Sequence, residues 1–275
     1  MTRFDPGALK DVSFRLEGPV AWITLNRPEE GNALTRDMHH SLDSVWAEVK
    51  ANDAIRAVIV TGAGERHFCT GASVSGLRTD KPGGSLRNEP LSEVVRLTPY
   101  QNKVWKPVIC LVNGLAAGGG LHFVVDCDIV IAHEGAAFMD THVSVGQVGA
   151  LENIGLARRM TLGGALLLTL AGKHHRMPAA RAHQLGLVDL LAPTLGEARD
   201  LARELAQAIA SNSPQAMALS KQAIWGSEEM AYTPAQENGW ALLRLHWSHP
   251  DFAEGPRAFL EKRSPNWTPD PNARR

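Results

Sequence analysis

Two glycine-rich turns carry the first chemical signal in this sequence. The apolar, β-branched run Val108–Val112 leads through Asn113-Gly114-Leu115-Ala116-Ala117 into Gly118-Gly119-Gly120, and the glycines open a helix expected over residues 121–127. Glycine lets the backbone come close to a ligand. A helix start leaves N–H groups free and adds the positive end of the dipole. Together these suit developing negative charge, although three glycines also suit a turn that is simply close-packed. No Gly-Lys-Ser/Thr follows, so this is no P-loop, and the spacing is not that of a dinucleotide fingerprint. A second turn of small residues, Thr61-Gly62-Ala63-Gly64, runs on to Phe68-Cys69-Thr70-Gly71-Ala72-Ser73. Gly71-Ala72-Ser73-Val74-Ser75 lacks the closing glycine of a nucleophile elbow, which argues against a serine nucleophile.

The elements that must position these turns follow from periodicity. Val12–Glu17 and Val20–Leu25 read as strands joined by a Gly-Pro turn. Residues 34–50 place Leu34, Met38, Leu42, Val45, Trp46 and Val49 on one helical stripe. Residues 57–61, Val108–Val112 and residues 129–132 read as strands buried on both faces. Strand–helix alternation gives an α/β fold class. Residues 79–90, with Lys-Pro-Gly-Gly-Ser, read as a mobile surface loop. From about Gly196 the pattern is helical throughout, over residues 201–210, 214–225, 234–247 and 252–262. Trp225, Trp240, Trp247 and Phe259 make this region apolar enough to pack against the core or another subunit. The proline-rich tail, residues 264–275, is expected to fray.

Composition excludes several classes of function. The 275 residues carry 28 basic and 29 acidic side chains for a net charge of −1, so no global field draws the chain to nucleic acid or to a membrane surface. No apolar run reaches the roughly 20 residues of a membrane helix, and residues 1–10 contain no secretory h-region. Cys69, Cys110 and Cys127 are odd in number and sit among apolar residues, the pattern of reduced, buried cysteines in a cytoplasmic protein. No His/Cys/Asp spacing suggests a metal.

The motifs, taken in order, resemble the crotonase (enoyl-CoA hydratase/isomerase) superfamily. Lys106-Pro107-Val108-Ile109 with Val112-Asn113-Gly114-x-Ala116-x-Gly118-Gly119-Gly120, then Cys127-Asp128-Ile129, resembles its signature. Phe68-Cys69-x-Gly71-Ala72 resembles its first oxyanion loop, and Asn26-Arg27-Pro28 with Asn32-Ala33-Leu34 resembles the segment that meets coenzyme A. Gly172, Arg181-Ala182 with Gly186-Leu187-Val188-Asp189, and Glu254-Gly255 with Ala258 to Arg263 complete the series over residues 10–267. The resemblance implies a spiral of ββα turns over residues 1–195 and a C-terminal helical trimerisation region over residues 196–275. It also implies a homotrimer or dimer of trimers, and an acyl-CoA substrate with no separate cofactor. The amides of Ala72 and Gly119 would then hold the thioester oxygen. Arg27, Ala33 and Gly71 would contact coenzyme A, and Lys262 would reach the coenzyme A phosphate of a neighbouring subunit.

The sequence departs from the resemblance where the chemistry should lie. Hydratases of the superfamily use two glutamates as acid and base; here those positions are His122 and His142. The usual Pro-Gly-Ala-Gly-Gly is Gly149-Ala150-Leu151-Glu152-Asn153, and the aspartate common after Gly-Ala is Ser73. Imidazole titrates near pH 6.5 and can give or take a proton at neutral pH. His122, His142 and Glu152 are therefore the expected catalytic set, with Asp140 a weaker candidate for orienting a histidine. His39-His40 and His174-His175 read as surface pairs. Three functions fit: addition of water to an enoyl-CoA, hydrolytic C–C cleavage of a β-diketo or cyclic keto acyl-CoA, and acyl-CoA binding without catalysis. The first is the expectation taken forward.

Overall fold

The computed structural model describes residues 4–73 and 88–270. Most of the loop expected over residues 79–90 lies outside the described residues. The strands are β1 (Val12–Glu17), β2 (Val20–Leu25), β3 (Ala57–Gly62), β4 (His67–Cys69), β5 (Val108–Val112), β6 (Leu115–Ala117), β7 (Ile129–His133), β8 (Ala137–Met139), β9 (Met177–Pro178) and β10 (Leu190–Ala192). The helices are α1 (Arg36–Ala51), α2 (Leu91–Val94), α3 (Leu121–Asp126), α4 (Leu151–Arg159), α5 (Leu162–Ala171), α6 (Ala179–Leu185), α7 (Leu195–Ala210), α8 (Pro214–Ser227), α9 (Tyr232–His246) and α10 (Asp251–Leu260).

These strands form two sheets, ordered β1-β2-β3-β5-β7-β10 and β4-β6-β8-β9. Apart from the antiparallel pairs β1–β2 and β8–β9, neighbours run parallel. Each of β3, β5 and β7 belongs to the large sheet, and the strand that follows it belongs to the small one. Helical segments then return the chain to the large sheet, after β8 by way of α4, α5, the small-sheet strand β9 and α6. The chain thus winds as ββα turns, the spiral that the motifs led one to expect.

Strand alternation explains the two cores. Val58, Val60, Cys110, Val112, Val130 and Ala132 face the larger cluster, with Met38, Leu42 and Trp46 of α1 and Phe123 of α3. Ala57, Ile59, Ile109, Leu111 and Ile131 face the other way, onto Ala198, Ala202, Ala206 and Ala210 of α7. Both sets are buried, as a parallel sheet covered by helices requires. The alanines recur every fourth residue, so a smooth stripe lets α7 lie close on the sheet. α7 therefore shares the sheet's own core, although its sequence groups it with the helical region after residue 196. α8 and α9 pack together beyond it.

Thr35 caps α1 by accepting from the Met38 amide, and Thr194 with Glu197 forms a capping box on α7. Two expectations are corrected. The tail is tied down as far as residue 270: Glu254 accepts from the Asn266 amide, Asp251 accepts from the Thr268 amide, and the Trp267 indole donates to the Ser211 carbonyl. His39 is half-buried where a surface residue was expected, and burial, more than the nearby charges, lowers its pKa. The three cysteines are free and buried, and burial pushes the Cys69 thiol up to about 12. No helix among the described residues is long and apolar enough to cross a membrane.

Candidate active site

Two asparagines hold the loop that brings the glycine turns together. Asn113 accepts from the Gly62 amide and donates to the carbonyls of Gly64 and His67. Asn32 accepts from the Arg27 amide and donates to the carbonyls of Ala63 and His67. Both are fully buried, so every polar group of their amides must find a partner inside, and the loop supplies them. The segment after β4 then runs beside residue 34. The Leu34 amide donates to Gly71 and its carbonyl accepts from Ser73, a parallel bridge that turns the Ala72 N–H away from residue 34. Gly71 has φ +89°, and a Cβ there would lie 2.8 Å from the Gly119 nitrogen. Only glycine permits that backbone and that approach.

The Ala72 nitrogen sits 3.6 Å from where a Gly119 Cβ would be. Among the described residues, neither the Ala72 nor the Gly119 N–H donates to another group. Gly119 occupies the short 3-10 turn Gly118–Gly120 that leads into α3. The structure thus brings two unused amides together at a helix start. That is an arrangement suited to a developing oxyanion.

Next to this turn lies a chain of titratable groups. His122, on the first turn of α3, is buried; its Nε2 is 3.5 Å from Glu152 Oε2. Glu152, on the first turn of α4, is also buried, and its Oε1 is 3.2 Å from His142 Nδ1. α3 and α4 approach so closely because residue 155 is glycine: a Cβ there would meet Val125 at 2.5 Å. His142 follows β8 and begins the 3-10 turn Val143–Val145. Its Nδ1 is 2.6 Å from Asp140 Oδ1, which also accepts from the His142 amide at 3.0 Å. Asp140 is wholly buried, and its other oxygen accepts from Asn153 at 2.7 Å. The same Asn153 amide donates to Thr169 Oγ1 at 2.6 Å. The His142 ring faces the glycine turn, with Cε1 3.7 Å from where a Gly118 Cβ would be.

Electrostatics follow from these contacts. The Asp140 hydrogen bond, ahead of burial, which opposes it, and of the Glu152 charge, which helps it, raises the pKa of His142. Burial alone would raise Asp140, but the hydrogen bonds from the His142 ring, the His142 amide and Asn153 outweigh it and leave the carboxyl lowered. Asp126, one turn beyond His122 on α3, is raised by burial against the opposing hydrogen bond from Thr98 and the His122 charge.

Of the expected site residues, the structure brings His122, His142 and Glu152 into one chain, and Gly71, Ala72 and Gly119 into one turn pair. Ala33 precedes the residue that bridges to Ala72. Arg27 is mostly buried and already engaged by Glu30 at 2.6 Å and Asp11 at 3.7 Å. Lys262 lies past α10, and no hydrogen bond or ion pair links it to the others. Asp140, expected as a weaker candidate for orienting a histidine, is joined to His142, and Asn153 and Gln101, outside the expected set, hydrogen-bond to Asp140 and His122. Gln101 Nε2 is 3.4 Å from His122 Nδ1. Asn153 adjoins Glu152 in the altered stretch, a signal that was present; Gln101 had none.

Comparison with known proteins agrees with this architecture. The enoyl-CoA hydratase/isomerase family profile matches residues 15–270. The (E)-benzylidenesuccinyl-CoA hydratase of Thauera aromatica is 34% identical over 260 residues, covering 92% of this chain and 97% of that protein. The short-chain-enoyl-CoA hydratase of Clostridium acetobutylicum is 33% identical over 263 residues, covering 93% of this chain and 96% of that protein. The crystal structure of an enoyl-CoA hydratase/isomerase from Mycobacterium paratuberculosis superposes with a TM-score of 0.87 at 34% identity, covering 94% of this chain and 99% of that one. The chain belongs to the enoyl-CoA hydratase/isomerase family of acyl-CoA enzymes.

Proposed function

We propose that this enzyme adds water across the double bond of an enoyl-CoA, with His142 as the base and Asp140 and Glu152 behind it. One observation carries the reading. Nδ1 of His142 is engaged by Asp140 Oδ1 at 2.6 Å and Glu152 Oε1 at 3.2 Å, while no described residue hydrogen-bonds to Nε2. With the ring proton held on Nδ1, the Nε2 lone pair is the one that can take a proton from water.

Hydration takes two proton transfers through His142. Water oxygen bonds to the β carbon as its proton passes to His142 Nε2. The π electrons move toward the thioester, whose oxygen becomes an enolate held by the Ala72 and Gly119 amides. The enolate then collapses, its α carbon taking the proton from the His142 imidazolium, and the resting tautomer returns. His122 orients Glu152, and Glu152 stabilises the imidazolium while it exists. Arg27, Ala33 and Gly71 lie along the coenzyme A side. Lys262, from a neighbouring subunit, meets the coenzyme phosphate. The C-terminal helices, with exposed Trp240, Trp247, Phe252, Phe259 and Leu260, supply the contacts of a trimer in the cytoplasm. No cofactor is needed beyond the coenzyme A of the substrate.

The Asp140–His142 pair also supports a second reading. The same dyad can direct water at a ketone, with the enolate leaving through the same amides, as in C–C hydrolysis. Incubation with crotonyl-CoA, (E)-benzylidenesuccinyl-CoA and a cyclic β-diketo acyl-CoA separates the readings. Each reaction adds one water, and tandem mass fragmentation locates it. Water at the β carbon supports hydration. Ring opening alone supports the second reading, and no turnover of any of the three rejects both.

A further inference from the structure

The orientation of one amide fixes the protonation pattern of His122. Gln101 Oε1 accepts from two backbone donors, the Leu97 amide at 2.8 Å and the Thr98 amide at 3.2 Å. A backbone N–H can only donate, so the side-chain oxygen must face these two groups and the NH₂ must face the other way. That NH₂ meets His122 Nδ1 at 3.4 Å. An N–H on Nδ1 would oppose it donor to donor, so Nδ1 accepts and the ring proton sits on Nε2. Nε2 is the nitrogen on the Glu152 side, 3.5 Å from its Oε2.

We infer that Gln101 is a positioning residue: it holds His122 as an Nε2–H donor, and His122 thereby holds the Glu152 carboxyl in place beside His142. This rests on the reading that His142 and Glu152 serve the acyl-CoA chemistry. The polarity then runs from Gln101 through His122 to Glu152. On the far side, His142 and Asn153 both donate to Asp140. His122 is a donor to the carboxylate in this arrangement, not the base. The other titratable groups around it are Asp126 on its own helix, His39 on α1, and His142 with Asp140 across the site.

Isosteric Gln101→Glu tests this without disturbing shape. One carboxylate oxygen still accepts from Leu97 and Thr98, and the other now accepts from Nδ1–H. In protein labelled with ¹⁵N-histidine, with His122 assigned by its loss in His122→Asn, solid-state NMR at pH 7.5 should show Nδ1 unprotonated and Nε2 protonated in the wild type. In Gln101→Glu both nitrogens should carry protons at that pH. The reverse tautomer or a doubly protonated ring in the wild type, or unchanged His122 signals in Gln101→Glu, overturns the inference. Gln101→Leu should lower kcat about 10²-fold with KM within about threefold, because orientation is lost while coenzyme A contacts remain. An unchanged kcat in a folded Gln101→Leu overturns the positioning role. The NMR arms need no turnover, so if no acyl-CoA is hydrated the proposed function fails while the tautomer result still stands or falls by itself.

Discussion

Asp140→Asn is the sharpest test of the proposed base, because it removes the charge beside His142 and keeps the shape of the side chain. If its oxygen keeps facing His142 Nδ1, its NH₂ faces Asn153, which donates to Asp140 at 2.7 Å and must turn its own unpartnered oxygen to accept. If it flips, its NH₂ faces His142 Nδ1 and forces the ring proton onto Nε2, the nitrogen that must be free to accept. In the first case the His142 bond at 2.6 Å loses its charge; in the second the base is blocked. General-base contributions of about 10²–10⁴ set the expected loss in kcat, which is about 2.7–5.4 kcal/mol of barrier at 1.36 kcal/mol per decade. The pH profile gives a second, signed readout. Asp140 raises His142 above 6.5, so the wild-type rate should fall off on the acid side at a midpoint above that value. Without the carboxylate, the acid limb of the residual activity should move to lower pH. Stopped-flow or steady-state hydration from pH 5 to 9, with a thermal melt to confirm folding, measures both. A folded Asp140→Asn with wild-type kcat, or with an acid limb that stays in place, refutes the role assigned to His142.

Other parts of the molecule give simpler tests. Gly119→Ala adds a methyl 3.6 Å from the Ala72 nitrogen and 3.2 Å from Leu34 Cδ1, in a backbone that alanine tolerates. Both N–H groups remain, but the methyl intrudes on the space between them, so activity should drop by up to about 10²–10³-fold, the cost of losing one oxyanion donor, while coenzyme A still binds by calorimetry. Trp46→Phe removes the indole that donates to the buried Leu97 carbonyl at 2.8 Å, and urea unfolding should show a loss of about 1–3 kcal/mol. Ala202→Leu overpacks the stripe between α7 and the large sheet and should cost about 1–3 kcal/mol by the same measurement, with the active site unaltered.

The layered fold was legible because its signals are local. The β-branched runs at Val20–Leu25 and Val108–Val112 and the six-residue stripe of α1 report their own burial. The anchoring of the tail was not legible, because Trp267 and Thr268 reach back 56 and 17 residues to Ser211 and Asp251, and nothing in a proline-rich segment announces such partners. The site divides in the same way. The glycine turns and the two histidines stand at spacings the motifs define. Asp140 and Gln101 reach the histidines only through orientation: the aspartate two residues before His142 becomes its partner because the chain after β8 brings its side chain to the ring. Glu152 could be suspected only from the altered stretch, since its reach to both histidines depends on how closely α3 and α4 pack.

That packing explains why restoring the family's two glutamates should fail. His142 Nδ1 lies 2.6 Å from Asp140 and 3.2 Å from Glu152, and His122 Nε2 lies 3.5 Å from Glu152. Imidazoles alternate with carboxylates, so each negative charge has a donor beside it. His122→Glu with His142→Glu would place four carboxyl groups in one buried chain. Like charges about 4 Å apart repel by about 4 kcal/mol at an effective dielectric constant near 20, so some of the groups must stay protonated in the folded state. Their folded pKa values then lie above the unfolded value of about 4.3. A carboxyl raised in this way leaves stability intact below its unfolded pKa and removes it as pH rises through the folded one. The double variant should therefore melt at a lower temperature at pH 8 than at pH 5, and should not hydrate crotonyl-CoA at pH 8. Adding Asp140→Asn and Glu152→Gln removes the two flanking charges and should recover most of the pH 8 stability. A double variant that melts like the wild type at pH 8 would show that Asp140 and Glu152 do not act on these positions as charges, and the linked chain of histidines and carboxylates would have to be abandoned.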